Sequence, residues 1–295
     1  MFAVMGATGR VGRSIAEQLL ERGDRVRALG RSRERLAELA AAGAEVRAGD
    51  AADAGYLTDA FAGADAVYTL LPYDVGTTDY FGDQRRAGEA IVRAARESGV
   101  RHLVFLSSLG ADRPSGTGPI ASLAEQEERL RRLDGVHRLV LRPGYFFENF
   151  AEALAAIRRH GVYADAYQPD LAFPMVATGD VARAAAEALV RRDWQGLVVR
   201  ELLGPRDLSL AEATRILGGH LGRPDLDYVR LPYADVVRAL VELGFSEQVA
   251  GLTVDLARAV NEGRVRSAAG RTAESTTATG FEEFAGELVR AHALT

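Results

Sequence analysis

Glycine stands at every third position in Gly6-Ala7-Thr8-Gly9-Arg10-Val11-Gly12, directly after the short run Phe2-Ala3-Val4-Met5 and just before Ile15, Leu19 and Leu20 at helical spacing. A strand, a glycine turn and a helix in that order make a phosphate-binding device. The glycines permit a tight turn and a close backbone approach to a pyrophosphate, and the helix start offers free N–H groups and the positive end of its dipole. A tight turn with no ligand would use the same glycines, so the flanking elements carry the inference.

A dinucleotide held there reaches the end of a second strand. About twenty positions beyond the glycines, an acidic residue would hold a ribose 2′-hydroxyl. This chain has Arg31-Ser32-Arg33 instead, with Arg35 one turn on. A guanidinium suits a 2′-phosphate, so NADP(H) is expected in preference to NAD(H), with Arg31, Ser32 and Arg35 as contacts. Ordinary surface charge is the competing reading of these arginines.

Further cofactor contacts are expected where later strands end. Asp50, followed by Ala51, could accept from an adenine amino group, could cap a helix, or both. Leu70-Leu71-Pro72 would line the middle of the cofactor. Ser107 and Ser108 fall where a nicotinamide would lie, although serine at a strand end is often only a turn residue. Pro143 and Gly144 turn the chain across the strand ends, placing Tyr145 and Phe146 beside the cofactor. Tyr73, Leu109, Phe147, Asn149 and Phe173 are the candidate substrate wall, with core packing as the alternative for the aromatics.

All 36 basic residues are arginine, so lysine chemistry is excluded: there is no Schiff base and no Tyr-x-x-x-Lys pair. The remaining candidates for proton donor are Tyr145, taken first, then Tyr73 and Ser108. Tyrosine is a weak acid, so Arg142 or a cofactor charge would have to tune Tyr145. The chain has no cysteine, and its five histidines show no ligand spacing, so no metal site is expected. A net charge of −5 gives no electrostatic case for nucleic acid or an anionic membrane. No run reaches the ~20 apolar residues of a membrane span, and a cytoplasmic location is expected.

The elements that must position these residues alternate. Runs at 2–5, 25–30, 44–48, 66–71, 102–107, 137–142 and 197–203 read as strands, and helices are expected to begin near Gly12, Ser32, Ala54, Phe81 and Ser122. Alternation of this kind implies an α/β fold, a doubly wound parallel sheet covered on both faces. Beyond 204 the pattern turns mostly helical. The expected division is a nucleotide-binding domain over 1–204, including the aromatic segment 142–175, and a smaller substrate-covering lobe over 205–295.

In that order and spacing, Gly6-Ala-Thr-Gly9-x-x-Gly12, the strand-two arginine, Gly49-Asp50, Leu106-Ser-Ser108 and Leu141-Arg-Pro-Gly144-x-Phe-x-Glu148-Asn149 resemble the NmrA-like branch of the atypical short-chain dehydrogenase/reductases. The resemblance covers residues 1 to about 265 and implies a Rossmann domain that binds NADP with a small C-terminal lobe. Its members include quinone and azo-dye reductases, isoflavone-reductase-type enzymes and redox-sensing regulators. Many relatives carry lysine or histidine where this chain has Leu123, so no proton relay transfers to that position. Glu127 matches a recurrent family glutamate and reads here as a structural ion-pair partner. The expected function is an NADPH-dependent oxidoreductase passing hydride to a small conjugated acceptor, quinone-like, azo or enone. The alternative is a non-catalytic NADP-binding sensor acting through a protein partner.

Overall fold

Phe2 and Val4 are buried on one side of the first strand and Ala3 and Met5 on the other, the period-two pattern of a strand covered on both faces. The computed structural model describes residues 1–293. Its elements run β1 (Phe2–Val4), α1 (Arg10–Glu21), β2 (Val26–Gly30), a 3-10 turn (Glu34–Leu36) into α2 (Ala37–Ala41), β3 (Glu45–Ala48), α3 (Ala54–Phe61), β4 (Ala66–Leu70), α4 (Tyr80–Glu97), β5 (His102–Leu106), α5 (Ile120–Arg131) and β6 (His137–Pro143). They continue β7 (Tyr145–Phe146), α6 (Asn149–His160), β8 (Val162–Asp165), β9 (Phe173–Val176), α7 (Thr178–Arg191), β10 (Leu197–Leu202), β11 (Asp207–Leu208), α8 (Leu210–His220), β12 (Asp227–Arg230), α9 (Tyr233–Glu242), α10 (Glu247–Asn261) and α11 (Phe281–Ala293).

Seven parallel strands form the main sheet in the order β10-β6-β5-β4-β1-β2-β3. This is the doubly wound Rossmann-like α/β fold. The order reverses between β1 and β4, where the crossovers leave to opposite faces and open a crevice at the carboxyl ends of the strands. Ile15 and Leu19 of α1 pack with Val181, Ala185 and Leu189 of α7 on one face. Leu57 and Phe61 of α3, Ile91 and Ala94 of α4 and Leu130 of α5 cover the other.

A third core draws together Phe147, Phe150, Leu154 and Phe173 with Leu210, Leu217, Phe281 and Ala285. Two small sheets stitch these segments: β11-β9-β7, and β8 paired in parallel with β12. The helix expected near Ser32 is instead a 3-10 turn from Glu34. Ser32 Oγ accepts from Arg35 N at 3.3 Å, and the tight turn drives Leu36 into the core. β7, β8, β9, β11 and β12 fall outside the runs that read as strands, since segments of two to four residues offer little period.

Candidate functional site

The glycine turn sits at the crevice. Gly6 has φ +63°, and a Cβ there would lie 2.6 Å from Leu70 Cδ2. A Cβ on Gly12 would lie 2.4 Å from the Gly6 carbonyl oxygen, so α1 can start this close to the turn only with glycine. Gly9 is the N-cap of α1 in extended conformation, and it offers no side-chain cap. The first turn of α1 holds no acidic residue, so its amides at Arg10, Val11 and Gly12 face the crevice with no carboxylate against them. Among the described residues these amides have no capping partner of their own, which suits an anion.

Arg35 donates to the Thr8 carbonyl at 3.2 Å, which brings its guanidinium to the glycine turn. Arg31, the residue after β2, is exposed. Neither makes an ion pair with a carboxylate among the described residues, whereas neighbours such as Arg13 do, with Glu17 at 2.8 Å. Asp50 is exposed and accepts from Ala52 N at 2.9 Å, closing a turn, while the helix cap suggested for it belongs to Asp53, which accepts from Tyr56 N at 3.1 Å. Asp53 lies one position before the first helical residue, the geometry a cap requires. Ala51 is half-buried against the core beneath this turn. Arg10 reaches across the crevice to Glu152 of α6 at 2.8 Å; both partners are exposed, so the pair is weak and readily broken.

A cleft of about 1200 Å³ runs along the strand ends into the C-terminal half, with Leu70, the neighbour of Gly6, at its edge. Its floor is Leu70, Leu71, Ser107, Ser108, Pro143 and Gly144, and its walls include Tyr73, Tyr80, Tyr145, Phe146 and Asn149. Gln84 donates to the Pro72 carbonyl and pins the loop after β4. Leu123, the position that departs from the family pattern, also lines the cleft. Over the mouth lies α9. It buries none of its residues: it packs against α10, and Val236, Ala239 and Leu240 line the cleft.

Three expected wall residues lie elsewhere. Leu109 is buried behind the floor, its N–H bonded to the Pro143 carbonyl at 3.0 Å. Phe147 is fully buried in the third core, its ring 5.0 Å from that of Phe281. Phe173 stacks on Tyr167 at 5.6 Å and faces a separate, smaller cavity. Phe147 lies just past β7, where its N–H donates to the Val176 carbonyl at 3.0 Å and its ring enters the third core, while Tyr145 and Phe146 line the cleft.

Glu127 is buried and receives Arg142 through two bonds, Nε to Oε1 at 2.9 Å and Nη2 to Oε2 at 2.5 Å. Ser107 Oγ also donates to Oε1 at 2.5 Å. Arg142 is therefore committed beneath the floor and does not tune Tyr145, contrary to expectation. Burial pushes the Tyr145 phenol well up, and its hydroxyl lies 3.4 Å from that of Tyr163. Tyr73 is half-exposed, bonds Thr253 at 3.3 Å and is likewise raised, by loss of solvation. Ser108 Oγ is spent on the Leu109 carbonyl at 3.1 Å. Each tyrosine can thus donate a hydrogen bond, and neither is an ionised base at neutral pH.

Tyr163, Asp165 and Tyr167 of the far wall escaped the sequence reading. Their only trace is the alternation in Val162-Tyr163-Ala164-Asp165-Ala166-Tyr167, which puts the polar side chains on one side. Burial pushes the Asp165 carboxyl up to about 6 from its ordinary 3.8. A raised carboxyl holds its proton more tightly in the folded state, so its contribution to stability is complete below the unfolded value and is lost as pH rises through the folded one. Asp165→Asn is therefore expected to raise Tm at about pH 8 and to leave it unchanged near about pH 4, as thermal melts would show. Among the described residues no helix is long and apolar enough to cross a membrane, and no group of three or more His, Cys, Asp or Glu could hold a metal ion.

Comparison with known proteins fits this geometry. A model of the NmrA-like family matches residues 1–285. The chain is 28% identical over 252 residues to an NAD(P)H azoreductase of Xenophilus azovorans, covering 85% of this chain and 84% of the relative. It is 34% identical over 224 residues to a (4-alkanoyl-5-oxo-2,5-dihydrofuran-3-yl)methyl phosphate reductase of Streptomyces griseus, covering 76% and 75%. Its fold superposes on the NADPH complex of an NADPH-dependent quinone oxidoreductase from Escherichia coli with a TM-score of 0.82 at 27% identity, covering 98% and 99% of the two chains. With the glycine turn at the strand-order reversal and the family match spanning nearly the whole length, the chain belongs to the NmrA-like family.

Proposed function

We propose that this NAD(P)H-dependent reductase uses NADPH to reduce a small, flat, conjugated acceptor of the quinone, azo or enone type. The observation that carries the reading is the cleft: about 1200 Å³ and aromatic-walled, it is bordered by Leu70, which lies against Gly6, and by Glu152, which pairs with Arg10, and it has room for an acceptor beside a nicotinamide. A sensor that only binds nucleotide has no need of that second space. The relatives named as azo, quinone and dihydrofuranone reductases share a conjugated electrophile as acceptor class.

Gly6, Ala7, Thr8, Gly9, Arg10, Val11 and Gly12 would hold the pyrophosphate. Arg31, Ser32 and Arg35 would meet the 2′-phosphate, a role supported by the absence of a carboxylate partner for either guanidinium among the described residues. Asp50 and Ala51 would border the adenine. Leu70, Leu71, Pro72, Ser107, Pro143, Gly144, Tyr145 and Phe146 would flank the remainder. The reduced cofactor supplies hydride; the chain's part is to hold the acceptor flat against it, exclude water and meet charge developing on the acceptor. Tyr145 is placed for the last task, since a phenol kept neutral by burial donates a hydrogen bond to an oxyanion.

The test is to incubate the purified protein with NADPH and a panel of quinones, azo dyes and enones and to follow the reduced-nicotinamide absorbance. Consumption dependent on acceptor supports the reading, and tight NADPH binding with no turnover on any acceptor refutes it. Arg31→Asp is expected to weaken NADPH by about 2 kcal/mol, roughly 30-fold in Kd, and to leave NADH nearly unchanged. Equal losses for both nucleotides in fluorescence titrations would remove the 2′-phosphate assignment.

A further inference from the structure

Tyr145 faces the acceptor but is a poor source of protons by itself, and Leu123 supplies none. Behind it stands a chain of protonated groups. The Tyr145 and Tyr163 hydroxyls are 3.4 Å apart. Tyr163 and Asp165 lie two apart on β8, hence on the same side of the strand, and both line the cleft. Asp165 itself lines the cleft and is only partly covered, so water can reach it. Its Oδ1 accepts from Ala166 N at 2.6 Å, which fixes the side chain.

We propose that Asp165 is the proton reservoir of the reduction, passing a proton through Tyr163 to Tyr145 and so to the acceptor. This rests on the reductase reading above. Once hydride and its electron pair have reached the acceptor, the acceptor oxygen or nitrogen carries negative charge. The Tyr145 O–H bond breaks as the new bond to the acceptor forms. Tyr145 regains a proton from Tyr163, Tyr163 from Asp165, and Asp165 from water at the cleft mouth. One hydride and one proton reach the acceptor, and no residue changes oxidation state.

The surroundings suit a carboxyl that holds its proton more tightly than an exposed one. Tyr145, Tyr167 and Tyr228 press on Asp165 as neutral phenols, and each is raised partly by its charge. Glu152 of α6 adds negative potential at Tyr145. Arg230 is the strand partner of Asp165 on β12, but it does not pair with it; its guanidinium lies over the Tyr233 ring at 5.9 Å. With no cation to hold the carboxylate, burial dominates and the carboxyl is pushed up to about 6. Asp165 acts through the two tyrosines rather than by touching the acceptor, so it is a positioning and supply residue and not a catalytic one.

The experiment uses the full chain in two measurements. Infrared titration of the protein without nucleotide should show a carboxylic C=O band with a midpoint near 6 that is missing in Asp165→Asn. Stopped-flow reduction of menadione and of a neutral azo dye by saturating NADPH should lose on the order of 10²-fold in Asp165→Asn and in Tyr163→Phe, with the double variant no slower than either. NADPH affinity should be unchanged in both. In the wild type the rate should be flat below about pH 6 and fall above it, and Asp165→Asn should abolish that dependence. A band midpoint at the ordinary aspartate value, or wild-type rates and pH profile in Asp165→Asn, would overturn the relay while leaving the reductase standing. A wild type that binds NADPH but consumes none of it with any acceptor would overturn the reductase reading, and the relay with it.

Discussion

Gly9→Asp is expected to abolish useful NADPH binding, raising Kd by at least ~10²-fold, while the protein melts no lower than the wild type. The two effects have one cause. Gly9 is the N-cap of α1 at φ −98° and ψ 170°, a conformation aspartate adopts freely, and a Cβ at this position would meet only the Gly6 carbonyl, at an ordinary 3.4 Å. The new carboxylate would accept from the open amides of the first turn and gain a favourable interaction with the helix dipole. It would occupy the place a pyrophosphate needs and repel it. Thermal melts alongside fluorescence titration with NADPH check both halves. Retained NADPH affinity in a well-folded Gly9→Asp would show that nucleotide does not bind at this turn. Gly12→Ala is the contrasting control: with backbone 2.4 Å from the new Cβ, it should lower stability as well as binding.

Glu127→Ala should cost about 3–5 kcal/mol, because it strands the Arg142 guanidinium beneath the cleft floor. The side chains of this pair are only 3% and 11% exposed, so water cannot replace the lost carboxylate. Ser107 loses its acceptor in the same step. For a chain of this size the change corresponds to a fall in Tm of roughly 5–8 °C, measurable by calorimetry. Adding Arg142→Met to Glu127→Ala should recover part of the loss, since removing both charges eliminates the stranded one. A loss below about 1 kcal/mol in the single variant would mean that the pair is solvated in solution and does not anchor the floor.

Some of this was legible in local sequence. The glycine turn, the arginines after β2 and the strand–helix alternation are short-range patterns, and each is set by backbone stereochemistry over a few residues: glycine where no Cβ fits, period two in a covered strand, a free helix start. The departure at Leu123 and the absence of lysine were equally plain, and they already removed the usual proton donors. What the local pattern could not tell was which of several neighbouring aromatics face the cleft. Phe146 and Phe147 are adjacent in Tyr145-Phe146-Phe147, and only the packing of distant segments decides that Phe146 lines the cleft and Phe147 enters the third core.

The chain alone therefore determined the nucleotide fold and the character of the loop that meets its phosphates, because those depend on contacts a few residues apart. Tertiary structure decided the rest, because it depends on contacts between segments far apart in sequence. Arg142 finds Glu127 across a sheet and a helix, and so is lost to Tyr145. Tyr145 meets Tyr163 only because α6 returns the chain to the strand ends. Asp165 holds its proton more tightly than usual only because that closure partly buries it. A carboxylate's acidity is a property of what surrounds it, and no pattern of neighbours along the chain states what that will be.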